Sequence, residues 1–183
     1  MRYYTGIGSR NTPDSILRAF YEIGFRLGHD FVLRSGRADG ADSYFEKGAV
    51  DAGGRCEIFL PWRDFQKNSA LATCPAYVFD SLCKQQRDAA LASVNRYHPN
   101  PNALTSGAKK LMARNYCQLF GVAPDSEKSA FVICYTSDGL ASGGTGQAMR
   151  MAEEAGIPVF NAHGYEDHPE QFIAQIIQHV SER

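Results

Sequence analysis

Three times in this chain a short apolar run of strand type gives way to a glycine-rich turn and then to a helical repeat, and this recurrence constrains the fold more than any single motif. The last of the three is the richest in glycine. Apolar residues 131–135 lead into Ser142-Gly143-Gly144-Thr145-Gly146-Gln147, ahead of a helical pattern that ends near Ala155. Strand, turn and helix N-terminus together make an anion site, because the first N–H groups of a helix lack intrahelical partners and the missing side chains let a phosphate reach the main chain. Glycines serve plain chain reversals equally well, so the weight rests on the recurrence.

Taken in order, residues 3–6 read as a first strand running into Gly6-Ile7-Gly8-Ser9-Arg10. Thr12 as N-cap and Pro13 at the first helical position start a helix whose Ile16, Phe20, Ile23 and Leu27 recur at helical spacing before Gly28 ends it. A second strand at 31–34 precedes Ser35-Gly36-Arg37-Ala38-Asp39-Gly40-Ala41-Asp42. The helix after it buries Ala41, Phe45, Ala49 and Ala52, carries Asp42 and Glu46 on a neighbouring face, and closes at Gly53-Gly54 before a third strand at 56–60. Between residues 61 and 129 the rhythm breaks. Helices are expected near 81–94 and 105–120, joined by His98-Pro99-Asn100-Pro101; in the second, Ala108, Met112, Tyr116 and Leu119 form an apolar stripe while Lys110, Arg114 and Gln118 form a polar row. The rhythm returns with strands at 131–135 and 158–161 and a terminal amphipathic helix from Pro169. The pattern is α/β: an open, mainly parallel sheet flanked by helices, with a helical insertion at about 61–129 between the third and fourth strands, in a single domain spanning 1–183.

A chain of 183 residues with 44% hydrophobic and 21% charged residues is long enough to build a core of this kind. No apolar run reaches membrane-spanning length, and Met-Arg-Tyr-Tyr-Thr-Gly passes directly into a structural motif, so a cytoplasmic protein is expected. Five cysteines without a C-x-x-C pair suit a reducing compartment; Cys56 and Cys134 read as core filler, while Cys74, Cys83 and Cys117 carry no pattern. The net charge of −1 opposes a surface built throughout for nucleic acid. It is unevenly spread: Lys84, Arg87, Arg96, Lys109, Lys110 and Arg114 face a single acid, Asp88, in one stretch of the insertion. That stretch is either a solvated helical face or a local anion-facing patch.

In an open parallel sheet, the loops beyond the carboxyl ends of the strands gather on one rim, where ligands bind. The expected ligand site is therefore Gly8, Ser9 and Arg10; Ser35, Gly36, Arg37, Asp39 and Asp42; and Ser142, Gly143, Gly144, Thr145 and Gly146, with Arg114 from the insertion above them. Hydroxyls and N–H groups would hold phosphate oxygens, and Arg10 and Arg37 could grip them bidentately. Trp62 could cover a ligand ring, and Tyr97 and Tyr116 could stack on bases. His163, Glu166, Asp167 and His168 lie in an irregular link without further ligands nearby, so neither a metal nor a cofactor is expected.

These three turns together resemble the Rossmann-like core of the DprA/Smf and LOG proteins, grouped as the SLOG superfamily. The resemblance covers residues 1–60 and 130–161 and leaves out the insertion. It implies binding of a nucleotide or nucleotide-derived ligand, a signalling nucleotide included. Two alternatives come with it: a DprA-like single-stranded DNA-binding recombination mediator, and a nucleotide N-glycosidase or phosphoribohydrolase. LOG-type hydrolases share P-G-G-x-G-T-x-x-E, whose glutamate serves catalysis, and here Arg150 stands in that place. A catalytic acid would have to come from Glu46, Asp42 or Asp138, although Asp42 and Glu46 read first as an exposed or capping pair on their helix. A homodimer is the expected assembly.

Overall fold

A computed structural model describes residues 2–72, 75–122 and 125–182 of the chain, so Cys74 lies outside the described residues. The strands are β1 (Arg2–Gly6), β2 (Phe31–Ser35), β3 (Cys56–Leu60), β4 (Tyr77–Val78), β5 (Val132–Cys134) and β6 (Val159–Asn161). They form one sheet in the order β4-β3-β2-β1-β5-β6, and every pairing is parallel. This is the Rossmann-like open sheet expected from the sequence. The short edge strand β4 adds to that expectation: it arises inside the insertion, where Tyr77 and Val78 extend the sheet beside Phe59 and Leu60.

Among the described residues six α-helices cover the two faces: α1 (Asp14–Leu27), α2 (Ala41–Asp51), α3 (Lys84–Tyr97), α4 (Ser106–Phe120), α5 (Gly143–Glu154) and α6 (Pro169–Ser181). Period-2 alternation sends the side chains of one strand to different cores. Phe131 and Ile133 join Tyr4, Leu33, Phe20, Phe45 and Phe172 under α1, α2 and α6. Val132 and Cys134 join Leu119, Ala148 and Met151 under α4 and α5. A sheet covered on both faces leaves no room for an alternating polar pattern in its middle, and β2 is buried along its whole length. Arg34, within β2, is fully buried: its guanidinium pairs with Glu57 at 2.7 Å, donates to the Glu127 carbonyl at 2.7 Å and lies 3.7 Å over the Tyr3 ring.

At the start of α1, Pro13 occupies the N-cap and not the first helical position. Thr12 leaves the cap, because its hydroxyl donates to the Ser9 carbonyl at 2.6 Å and so fastens the first glycine-rich turn. Gly54 closes α2 as expected, its N–H donating to the Ala49 carbonyl at 2.8 Å, with Gly53 at φ +71°. Among the described residues no helix is long and apolar enough to cross a membrane.

Candidate functional site

The chain runs from β1 outward to β4 on one side and then returns to the other side of β1 for β5 and β6. The strand order therefore reverses between β1 and β5, and the loops leaving those two strands must diverge to opposite faces and open a crevice. Backbone bonds hold the two loops together at its floor: the Ile7 N–H donates to the Ile133 carbonyl and the Ser9 N–H to the Tyr135 carbonyl, each at 3.1 Å. A Cβ on Gly8 would lie 2.7 Å from the Ala41 Cβ, so only glycine lets the β1 turn rest on the start of α2.

A cavity of about 340 Å³ occupies this crevice. Of the site residues expected from sequence, Gly8, Ser9, Arg10, Asp42, Arg114, Ser142, Gly143, Gly144 and Thr145 line it. Ser142 is the N-cap of α5, yet its hydroxyl donates to Asp138 at 3.0 Å and no side chain caps the helix. The first turn of α5 thus presents its N–H groups and the positive end of its dipole to the cavity. Arg10 is exposed at the rim and forms no ion pair among the described residues.

Several expectations are corrected. Asp42 and Glu46 are both buried, not an exposed pair. Glu46 meets Arg37 at 2.5 Å with both side chains shut from solvent, so Arg37 is turned to its own helix and neither residue lines the cavity. Ser35 is likewise spent inside, donating to the Gly6 carbonyl at 2.6 Å. Asp39 points outward and accepts from Gln66 at 2.7 Å. Gly146 lies beneath the turn, where a Cβ would sit 2.1 Å from the Ala141 carbonyl carbon, and Gly36 makes room for side chains from α4. Asp138 caps its own loop, accepting from the Leu140 N–H at 3.0 Å. Trp62 packs edge-on to Phe65, Tyr116 lies against Phe120 and Tyr97 beside Arg96, all away from the cavity.

Among the described residues Asp42 is the one carboxylate on the cavity wall. Burial pushes its carboxyl above the usual range, opposed by Arg114 and by the N–H groups of Ala38, Gly8 and Gly36. A resident carboxylate therefore already takes N–H groups from two of the glycine-rich turns, which removes them from service to an anionic ligand and leaves the α5 turn for that task. Arg114 stands 3.6 Å from Asp42 and donates to the Gly36 carbonyl, and burial lowers its pKa from the usual arginine value.

The α4 face was the part least visible in sequence. Two members of its polar row face inward: Arg114 and Gln118, and with them Asn115, are buried and line the cavity with Leu111 and Met112, whereas Lys110 leaves the row to pair with Asp80 at 2.7 Å. Asn115 donates to the Gly144 carbonyl at 3.0 Å and ties α4 to the α5 turn. Gln118 is fully buried, and neither its Oε1 nor its Nε2 has a hydrogen-bond partner among the described residues; an amide left so costs about 1–3 kcal/mol per group. Thr136 and Ser137 complete the wall, Thr136 held by Asn161 through bonds of 2.7 and 3.2 Å. Arg150 is outside the cavity and braces the insertion, donating to the Tyr97 carbonyl at 2.9 Å and to the Ala141 carbonyl. His163 and His168 pair with Glu166 and Glu170 at 3.6 and 3.7 Å, and no cluster of three or more metal-ligating side chains occurs among the described residues.

No protein-family model matches the sequence, and no curated protein matches it. Solved structures share its fold. The Moco carrier protein of Chlamydomonas reinhardtii is 18% identical, with a TM-score of 0.50, over 88% of this chain and 76% of that one. DNA processing protein A (DprA) of Streptococcus pneumoniae is 19% identical, with a TM-score of 0.56, over 97% of this chain and 56% of that one. This chain therefore spans little more than half the length of that DprA, and at these identities the likeness is one of fold.

Proposed function

We propose that this chain binds a nucleotide or nucleotide-derived ligand in the crevice between β1 and β5, with a phosphate against the first turn of α5. The observation that carries this reading is the coincidence, at the strand-order reversal, of a helix N-terminus without a side-chain cap and Arg10, without an ion pair among the described residues, on one cavity. Backbone N–H groups at Gly143, Gly144 and Thr145 and the Ser9 and Thr145 hydroxyls supply donors for phosphate oxygens. The Moco carrier protein shares this fold, and holding a ligand suits a wall whose one carboxylate among the described residues, Asp42, is already engaged by Arg114 and backbone N–H groups. For glycosidic cleavage the acid would have to be Asp42, since Glu46 is locked to Arg37 and Asp138 caps its loop.

Native mass spectrometry of the protein with a panel of mono-, di- and cyclic nucleotides and ADP-ribose-type compounds tests the reading. At least one compound should add its mass to the protein, and Arg10→Gln should weaken that complex at least about 10-fold, the worth of one charge-assisted phosphate contact. Absence of any bound nucleotide across the panel overturns it. Release of free base in the same spectra would instead favour the N-glycosidase.

A further inference from the structure

The α4 wall, tied to the α5 turn through Asn115 and Gly144, has a chemistry of its own. Gln118 is fully buried on α4, lines the cavity, and keeps both Oε1 and Nε2 without a partner among the described residues. A neutral amide is a poor phosphate ligand, because its oxygen repels the anion while its N–H₂ attracts it. What it satisfies well is a planar ring edge carrying a donor and an acceptor side by side, which takes two hydrogen bonds from one amide. Along the same cavity wall, Met112 and Leu111 offer apolar surface, and a thioether packs favourably on an aromatic ring. The position is held from below: a Cβ on Gly36 would lie 2.4 Å from Gln118 Nε2 and 2.3 Å from Arg114 Nη1, so the absence of a side chain at residue 36 is what lets both α4 side chains reach over the β2 turn.

Resting on the phosphate-site reading above, we infer that Gln118, with Met112 and Leu111, forms a heterocycle subsite that selects a ring bearing adjacent hydrogen-bond donor and acceptor, joined in one molecule to a phosphate at the α5 turn. A cavity of about 340 Å³ stands at the small end of ligand pockets and suits one ring and one phosphate group, a mononucleotide in scale. Arg114 and Asp42, paired on the cavity wall, neutralise each other, so Arg10 and the α5 dipole are the net attraction for the anion.

Isothermal titration of the intact protein with AMP, GMP, CMP, UMP, ribose 5-phosphate and inorganic phosphate separates the two ends of the site. At least one nucleotide should bind about 10-fold or more tightly than ribose 5-phosphate. Gln118→Met, nearly the same shape without the polar atoms, should remove that advantage while leaving ribose 5-phosphate within about twofold, and should not lower Tm, since it deletes unsatisfied groups. A glutamine serving only the fold would do the reverse, lowering Tm and sparing selectivity. Should the methionine variant fail to fold, Gln118→Glu keeps the shape and loses the donor, and is expected to lose the same selectivity. If the nucleotides bind no better than ribose 5-phosphate, or if Gln118→Met keeps their advantage, the subsite is refuted and the phosphate site stands. If neither ribose 5-phosphate nor any nucleotide binds, the phosphate-site reading fails and this inference falls with it.

Discussion

The charge on Arg37 is answered inside the protein. Its guanidinium and the Glu46 carboxylate meet through Nε and Nη2, with donor distances from 2.5 to 3.1 Å, in surroundings that exclude water. Arg37 also adopts φ +54°, a backbone conformation uncommon for a residue with a long side chain, and the ion pair holds it there. Removing one member of such a pair leaves the other charge buried and uncompensated, which costs about 3–5 kcal/mol, whereas replacing both by apolar groups is often neutral. Glu46→Gln should therefore lower the urea-unfolding free energy by about 3–5 kcal/mol, and Arg37→Met combined with Glu46→Leu should recover most of it. A loss below about 1 kcal/mol for Glu46→Gln would mean that the pair is solvated. In the sequence Arg37 is simply an arginine in a glycine-rich turn, fit to hold a phosphate. Its partner is nine residues on, and only the folded path of turn and helix selects one use of the charge over the other.

Helices α1 and α2 approach so closely that their glycines are part of the contact. A Cβ on Gly48 would stand 2.1 Å from the Tyr21 carbonyl oxygen, and one on Gly24 would stand 2.6 Å from the Phe45 carbonyl oxygen. Two effects compete in Gly48→Ala. Alanine gains about 1 kcal/mol of helix propensity, and the clash is with backbone that cannot swing aside, an overpacking cost of about 1–3 kcal/mol. The clash should win, so thermal unfolding should show a lower Tm for Gly48→Ala; a Tm raised above the parent would show that the helices can part without cost. Strand-turn-helix alternation made α1, α2, α5 and α6 legible, because each carries an apolar face and a glycine or proline boundary. The direction of α4 was legible only through Arg114, and Gln118 and Asn115 were not placed at the site. A polar row on a helix ordinarily faces water, and here Arg114, Asn115 and Gln118 face inward because a cavity takes the place of apolar core on that side. Two-residue β4 carries too little pattern to be found by periodicity.

Across the whole molecule the same question of committed charge separates a nucleotide site from a strand-binding surface. The basic stretch of residues 84–114 looks concentrated in sequence, but most of its cations are already answered. Lys84 pairs with Asp88 at 2.5 Å, Lys110 with Asp80 at 2.7 Å, Arg96 with Glu154 and Arg114 with Asp42, and Arg87 donates to the Leu82 carbonyl. The exposed pairs among these can exchange partners at little cost, unlike buried Arg114–Asp42, yet a chain of net charge −1 gains nothing from doing so unless a continuous stripe results. Each phosphate neutralised on a single strand contributes a slope of about −0.7 in log K against log salt. Arg10 at the crevice rim and Lys109 in the basic stretch carry no ion pair among the described residues, and a strand held through those two cations would give a slope shallower than about −2. Fluorescence anisotropy with an oligothymidylate of about 20 nucleotides, between about 50 and 200 mM salt, measures it. Weak binding, competed away by the mononucleotide found to occupy the crevice, is the expected result. Tight binding with a slope of about −4 or steeper, indifferent to mononucleotides, would overturn the nucleotide reading in favour of a recombination mediator, because only a row of phosphate contacts outside the crevice can release that many counterions.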